Sequence, residues 1–169
     1  MSDAFAVDET AEPSIRDKSL VELVGAIAGP SISPGSGTAG SLVLVLAAAC
    51  AHKALAITRK HRPLESAEES AALELAEIIE RAFDSADRDA SCFAAFLQHR
   101  DAGGARALRD SDRMGQEVTS SFETLLRAIE GAIDPVARGD VAAAWELLAV
   151  VQRIQAMIAE GNEALSADL

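Results

Sequence analysis

A chain of 169 residues with 49% hydrophobic content is long enough for one domain with a substantial core and short for two. Its formal net charge of −12 repels phosphate backbones and anionic lipid surfaces, and aromatics at 4% leave few platforms for stacking bases, so nucleic acid is not an expected partner. Abundant Ala, Leu, Glu and Arg, and the rarity of alternating β-branched and polar residues, predict an all-α class.

Residues 1–13 are polar and aperiodic and read as a flexible N-terminal arm, leaving 14–169 as the helical domain. Ser19 and Glu22 have capping-box spacing. Leu20, Leu23, Val24 and Ile27 follow as one apolar stripe until Gly29-Pro30, which predicts a first helix over about 17–28. The next eleven residues, Ser31 to Ser41, hold three glycines and a proline. They lead into a second helix, about 38–61, whose first half is apolar all round and marks the long central element. Pro63 breaks the chain. A third helix is expected over about 64–100, with Leu73, Ala76, Ile79, Ala82 and Phe83 on its inner face. Asp101-Ala102-Gly103-Gly104 is read as its end, and a fourth helix, about 112–131, carries Val118, Phe122, Leu125 and Ile129. Asp134-Pro135 opens the last helix, with Trp145, Leu147, Leu148, Val151, Ile154 and Met157, and Gly161-Asn162 is read as its cap. Five helices joined by short connections predict a single-domain bundle.

The apolar run from Leu42 to Ala51 is shorter than the ~20 residues of a membrane span, so none is expected. The acidic N-terminus lacks the order of a secretory signal, which predicts a cytoplasmic protein. Cys50 and Cys92 have no partner at metal-ligand spacing and read as small core residues; no metal site is expected.

Three features go beyond a plain bundle. The glycine-rich loop running into a helix N-terminus exposes backbone N–H groups with little cover, which suits an anionic or amide-bearing ligand, although it would equally serve as a close-packed connector. A basic cluster, His52, Lys53, Arg59, Lys60, His61 and Arg62, interrupts an acidic chain, with Lys53 and Lys60 on one helix face. Locally it reads more readily as a set of cations opposing the negative end of a helix. The third is Asp87-Arg88-Asp89-Ala90-Ser91-Cys92-Phe93. Asp89 shares a stripe with Phe93 and Phe96, so inward phenylalanines draw its carboxylate toward the core or a cleft, where burial raises its pKa and a nearby lysine lowers it. Otherwise it lies at the edge of the stripe and pairs with Arg88 or Arg81.

The order of these features, with Ser33-Pro34-Gly35-Ser36-Gly37-Thr38, Ile57-Thr58-Arg59-Lys60-His61 and Asp87-Arg88-Asp89 before Phe93, resembles the cyclodeaminase/cyclohydrolase family of folate enzymes over about residues 19–97. The resemblance implies an all-helical homodimer. It also implies that the chain converts formimino-tetrahydrofolate to methenyl-tetrahydrofolate with loss of ammonia, or hydrolyses the methenyl form, with no cofactor beyond the tetrahydrofolate substrate. On it, Pro34, Gly35, Ser36, Gly37 and Thr38 line the folate site with Arg59 and Phe93, while Asp89 and Lys60 are the catalytic candidates. Ser36 stands where the family pattern has a glycine, Thr38 where it has serine, and Gly139-Asp140 replaces its Ser-Asp. These departures keep a second expectation open, a non-catalytic helical module of the same fold with or without folate binding, and a third, a scaffold that binds nothing small.

Overall fold

The computed structural model describes residues 14–167, and side chains to residue 165; the expected N-terminal arm lies outside the described residues. The described chain is an all-α bundle of five helices: α1 (Leu20–Ala28), α2 (Ser36–His61), α3 (Ser66–His99), α4 (Ala102–Ile129) and α5 (Arg138–Ala167). Short 3-10 turns precede α1 and connect α4 to α5. The long central helix is α2, packed most extensively on α3 and α5, with α4 closing the other side against those two. Leu44, Ala47, Ala48, Ala51, Ala54 and Leu55 of α2 are buried, as the all-round apolar pattern requires. By length and mean hydropathy, α2 and the segment Pro135–Leu165 are each sufficient to cross a membrane, longer than the apolar run alone indicates; 39% and 22% of their most apolar windows are buried within the bundle.

Local chemistry fixes the ends. The capping box of α1 forms as its spacing predicts, Ser19 accepting from the Glu22 N–H while Glu22 accepts from the Ser19 backbone. Its stripe is only half used, because Leu23 is buried while Leu20 and Val24 are exposed. Asp101 does not close α3 but caps α4, its side chain accepting from Gly104 N–H at 2.7 Å. The expected gap between 100 and 112 is therefore helix. The two glycines are tolerated there because the chain turns sharply at Arg100, φ 43°, and α4 leaves close to α3; a Cβ on Gly104 would stand 3.2 Å from Phe96. Likewise Gly161-Asn162 does not end α5, which continues to Ala167, with Asn162 buried and tied to α4.

The inner face of α3 is turned from its expected phase. Ala71, Ala72, Leu75, Ile78 and Ala82 are buried, whereas Leu73 is 71% exposed and Ala76 is exposed. Alanines permit close approach to the alanine face of α2, so a small-residue stripe outcompetes the one with the larger side chains. The α4 stripe is buried as expected. On α5, Leu148 and Val151 enter the core, and Trp145 lies half-buried under the Arg127 guanidinium, 5.1 Å from ring to cation, with its indole N–H unpaired. Cys50 and Cys92 are free and half-buried against apolar clusters.

Candidate functional site at the N-terminus of the central helix

Gly35 caps α2 without any side-chain hydrogen bond, which leaves the first-turn N–H groups without the usual Ser or Asp acceptor. The acceptor comes from another helix. Asp89 of α3 reaches across so that Thr38 donates its hydroxyl to Asp89 Oδ2 at 3.3 Å, and the Thr38 backbone N–H also stabilises the carboxylate. Thr38 itself is fully buried, and its hydroxyl lies 3.5 Å from the Ala86 carbonyl. A Cβ at position 37 would stand 2.1 Å from Asp89 Oδ1, so glycine is what lets the carboxylate sit on the helix end.

The resulting electrostatics are mixed. Burial is the dominant influence and pushes the Asp89 pKa above the usual carboxylate value; Thr38 opposes it, and the charge of Asp112 reinforces it. The expected alternative, a solvent pairing of Asp89 with Arg88 or Arg81, does not occur. Asp87 is occupied elsewhere, accepting from Ser14 Oγ at 2.6 Å and Ile15 N–H at 2.7 Å, and so pins the turn before α1. Asp89, not Asp87, faces the cleft.

That cleft has a volume of ≈320 Å³. On one side it is walled by Ser33, Gly35, Ser36 and Gly37, with Asp89 and Phe93 at its back. The other wall is α5, through Ile154, Met157, Ile158 and Leu165. Its size falls near the lower end for small-molecule sites, and its pattern of apolar walls with a few convergent polar groups is theirs too. Gly35, Ser36, Gly37, Asp89 and Phe93 thus meet at one place as expected, with Thr38 directly behind Asp89, whereas Pro34, expected with them, does not line the cleft. The α5 wall was not anticipated as site: Ile154 and Met157 were read as core. The signal for it was present in Met157 and Leu165, apolar residues beyond the point where α5 had a core left to face.

Lys60 and Arg59 are not brought there. They lie near the opposite end of α2, roughly 35 Å from Gly37 at 1.5 Å per residue. Arg59 pairs with Glu69, and three more members of the basic cluster are similarly engaged: Lys53 with Asp140 at 2.9 Å, His61 with Asp134 at 2.9 Å, and Arg62 with Glu68 and the Ala132 carbonyl at 2.6 Å each. The Val136 N–H, then His61, holds Asp134 below its usual pKa, and Arg62 holds Glu68 down to about 2. Among the described residues, no three His, Cys, Asp or Glu side chains are grouped to hold a metal ion.

A helical bundle whose central helix begins at a glycine-lined cleft, capped from a neighbouring helix by a half-buried carboxylate, has the geometry of a candidate small-molecule site at a helix terminus. Over residues 19–169 the chain matches the model of the formiminotransferase-cyclodeaminase family, and it belongs to that family. Its fold is shared with the crystal structure of formiminotetrahydrofolate cyclodeaminase from Thermotoga maritima, to which it is 22% identical, with a TM-score of 0.79 over 89% of this chain and 80% of that one. No curated protein sequence matches the chain.

Proposed function

We propose that the chain is a folate one-carbon enzyme, a formimino-tetrahydrofolate cyclodeaminase or methenyl-tetrahydrofolate cyclohydrolase, with Asp89 as its proton-transfer group. The observation that carries this reading is the seating of the Asp89 carboxylate on Gly37 and Thr38 at the back of an apolar cleft. Family membership supplies the substrate class. In cyclodeamination N10 attacks the formimino carbon, its proton is transferred to the imine nitrogen, and a tetrahedral aminal forms. A further proton on that nitrogen lets the C–N bond break, its electron pair leaving with ammonia, while the lone pairs of N5 and N10 stabilise the methenyl cation. A carboxyl group with a raised pKa can carry the first proton from N10 to the imine nitrogen and, reprotonated from solvent, supply the second. The apolar walls Phe93, Ile154 and Met157 would cover the faces of the pterin. Lys60 and Arg59 could serve this site only from a second copy of the chain, so their assignment goes with the proposed homodimer.

One feature favours the non-catalytic reading. Ser36 lines the cleft and places a hydroxymethyl group where the family pattern has glycine. Titration with 5-formyl-tetrahydrofolate tests binding: a saturable rise in melting temperature is expected, and its absence across folates of several tail lengths overturns the folate reading. Formation of methenyl-tetrahydrofolate from the formimino substrate, followed by absorbance, then separates an enzyme from a binding module.

A further inference from the structure

Behind Asp89, away from the cleft, lies a second and much smaller chamber of ≈30 Å³, partly open to solvent on the side of the exposed Gln116. Gly37, Asp89 and Ile158 line both, so the carboxylate stands between them. The chamber's other walls are polar: Ser85, Ser111, Asp112, Gln116 and Gln155, with no Lys or Arg among the described residues. Asp112 is oriented by the buried Asn162, whose Nδ2 lies 3.0 and 3.2 Å from its two carboxylate oxygens. Ser111 is only 9% exposed, and its hydroxyl has no hydrogen-bond partner among the described residues. Ser111 thus offers an unpaired hydroxyl, on a residue nine-tenths buried, at the wall of a space that two carboxylates share.

A molecule of water size needs roughly 10–15 Å³ of such space, so the chamber's inner part suits an occupant of one or two non-hydrogen atoms. Two carboxylates without a neighbouring cation favour a small positive occupant over a neutral one. We propose that this chamber is an ammonium site, filled by the ammonia released on the cleft side of Asp89. The inference rests on the cyclodeaminase reading for the source of its ligand but not for the site itself. In the release step, the C–N bond of the aminal breaks with its electron pair on nitrogen. The freed ammonia takes a proton from a carboxyl group of the Asp89–Asp112 pair and becomes ammonium beside the carboxylate so formed. Ser111 and the Gln116 and Gln155 side chains supply oxygen acceptors for its N–H groups.

The test uses the full chain without folate, comparing ammonium chloride with sodium chloride at constant ionic strength. Ammonium is expected to raise the melting temperature saturably, by about 3–6 °C at tenfold above half-saturation, with sodium giving no such rise. Asp112→Asn and Ser111→Ala, each checked for a cooperative melt in sodium chloride, are expected to lose or weaken that response. Equal responses to the two salts, as a water-filled chamber would give, overturn the proposal, and so does an ammonium response undiminished in both variants. Turnover of formimino-tetrahydrofolate without an ammonium-specific shift removes the chamber alone. An ammonium-specific shift in a chain without turnover supports the chamber and counts against the cyclodeaminase reading.

Discussion

The two ends of α2 carry similar charged groups and put them to opposite uses. At the C-terminal end, Arg62 and His61 face Glu68 and Asp134, and every shifted carboxylate is held below its usual pKa. At the N-terminal end, Asp89 has a helix terminus and a hydroxyl but no cation, and burial pushes it above. The first arrangement fixes a carboxylate in one protonation state and contributes to folding. The second makes the charged form of the carboxylate harder to hold, the direction of shift that suits a proton-transfer group rather than a structural ion pair. On the proposed function, position along the same helix therefore separates stability from reactivity.

The contrast can be broken by variants at either end. The largest effect is expected for Asp89→Asn, which should lower turnover by about 10²–10⁴-fold with the helical circular dichroism unchanged. Unchanged activity removes Asp89 from the mechanism. Gly37→Ala forces the carboxylate off the helix end, and a displacement of about 1 Å is expected to cost about 10²-fold in kcat, visible in single-turnover measurements. At the other end, Arg62→Ala leaves the buried Glu68 unpaired and should lower the urea midpoint while leaving kcat unaltered.

Acid titration sharpens the comparison. Glu68 has a pKa near 2 when folded, against 4.5 for the free group, so its contribution to stability is present above pH 4.5 and is lost as the pH falls toward 2. In Arg62→Ala that loss should be largely absent. Asp89 has the opposite sign. Its folded pKa is raised from 3.8, so the stability linked to it is present below that value and lost as the pH rises through the folded pKa. Asp89→Asn should therefore melt higher than the parent near neutrality, with the gap closing below about pH 4. The smallest effect is expected for Lys60→Ala, within about 0.5 kcal/mol in stability. If that variant loses turnover, a second chain brings the far end of one helix to the cleft of another.

Much of this contrast was legible in the sequence. The Gly-rich loop, the all-round apolar α2 and the Asp89–Phe93 spacing each reflect local rules of conformation and periodicity, and the structure assembles them at one place. The basic cluster was legible as charge, but its partners Glu68, Asp134 and Asp140 are distant enough in sequence, or across a turn, that composition could not supply them. The phase of α3 was not legible because alanine weighs little in an apolar stripe yet governs how closely two helices approach. The reach of α4 back to Ala102 was hidden by Gly103 and Gly104, whose low helix propensity is outweighed by an Asp101 cap and close packing on Phe96. The chamber residue Ser111 was hidden with it.

Trp145 gives the molecule an internal optical reporter. The chain has one Trp and no Tyr, so its ultraviolet emission comes from a single ring. That ring is sandwiched beneath Arg127, nine residues along α5 from the nearest cleft-lining residue, Ile154, and so roughly 13 Å from it. Its emission wavelength follows the polarity around the indole and so reports the seam between α4 and α5. Folates that absorb in the emission band can quench it through space without touching it. One fluorophore can thus follow the opening of the bundle by colour and the filling of the cleft by intensity.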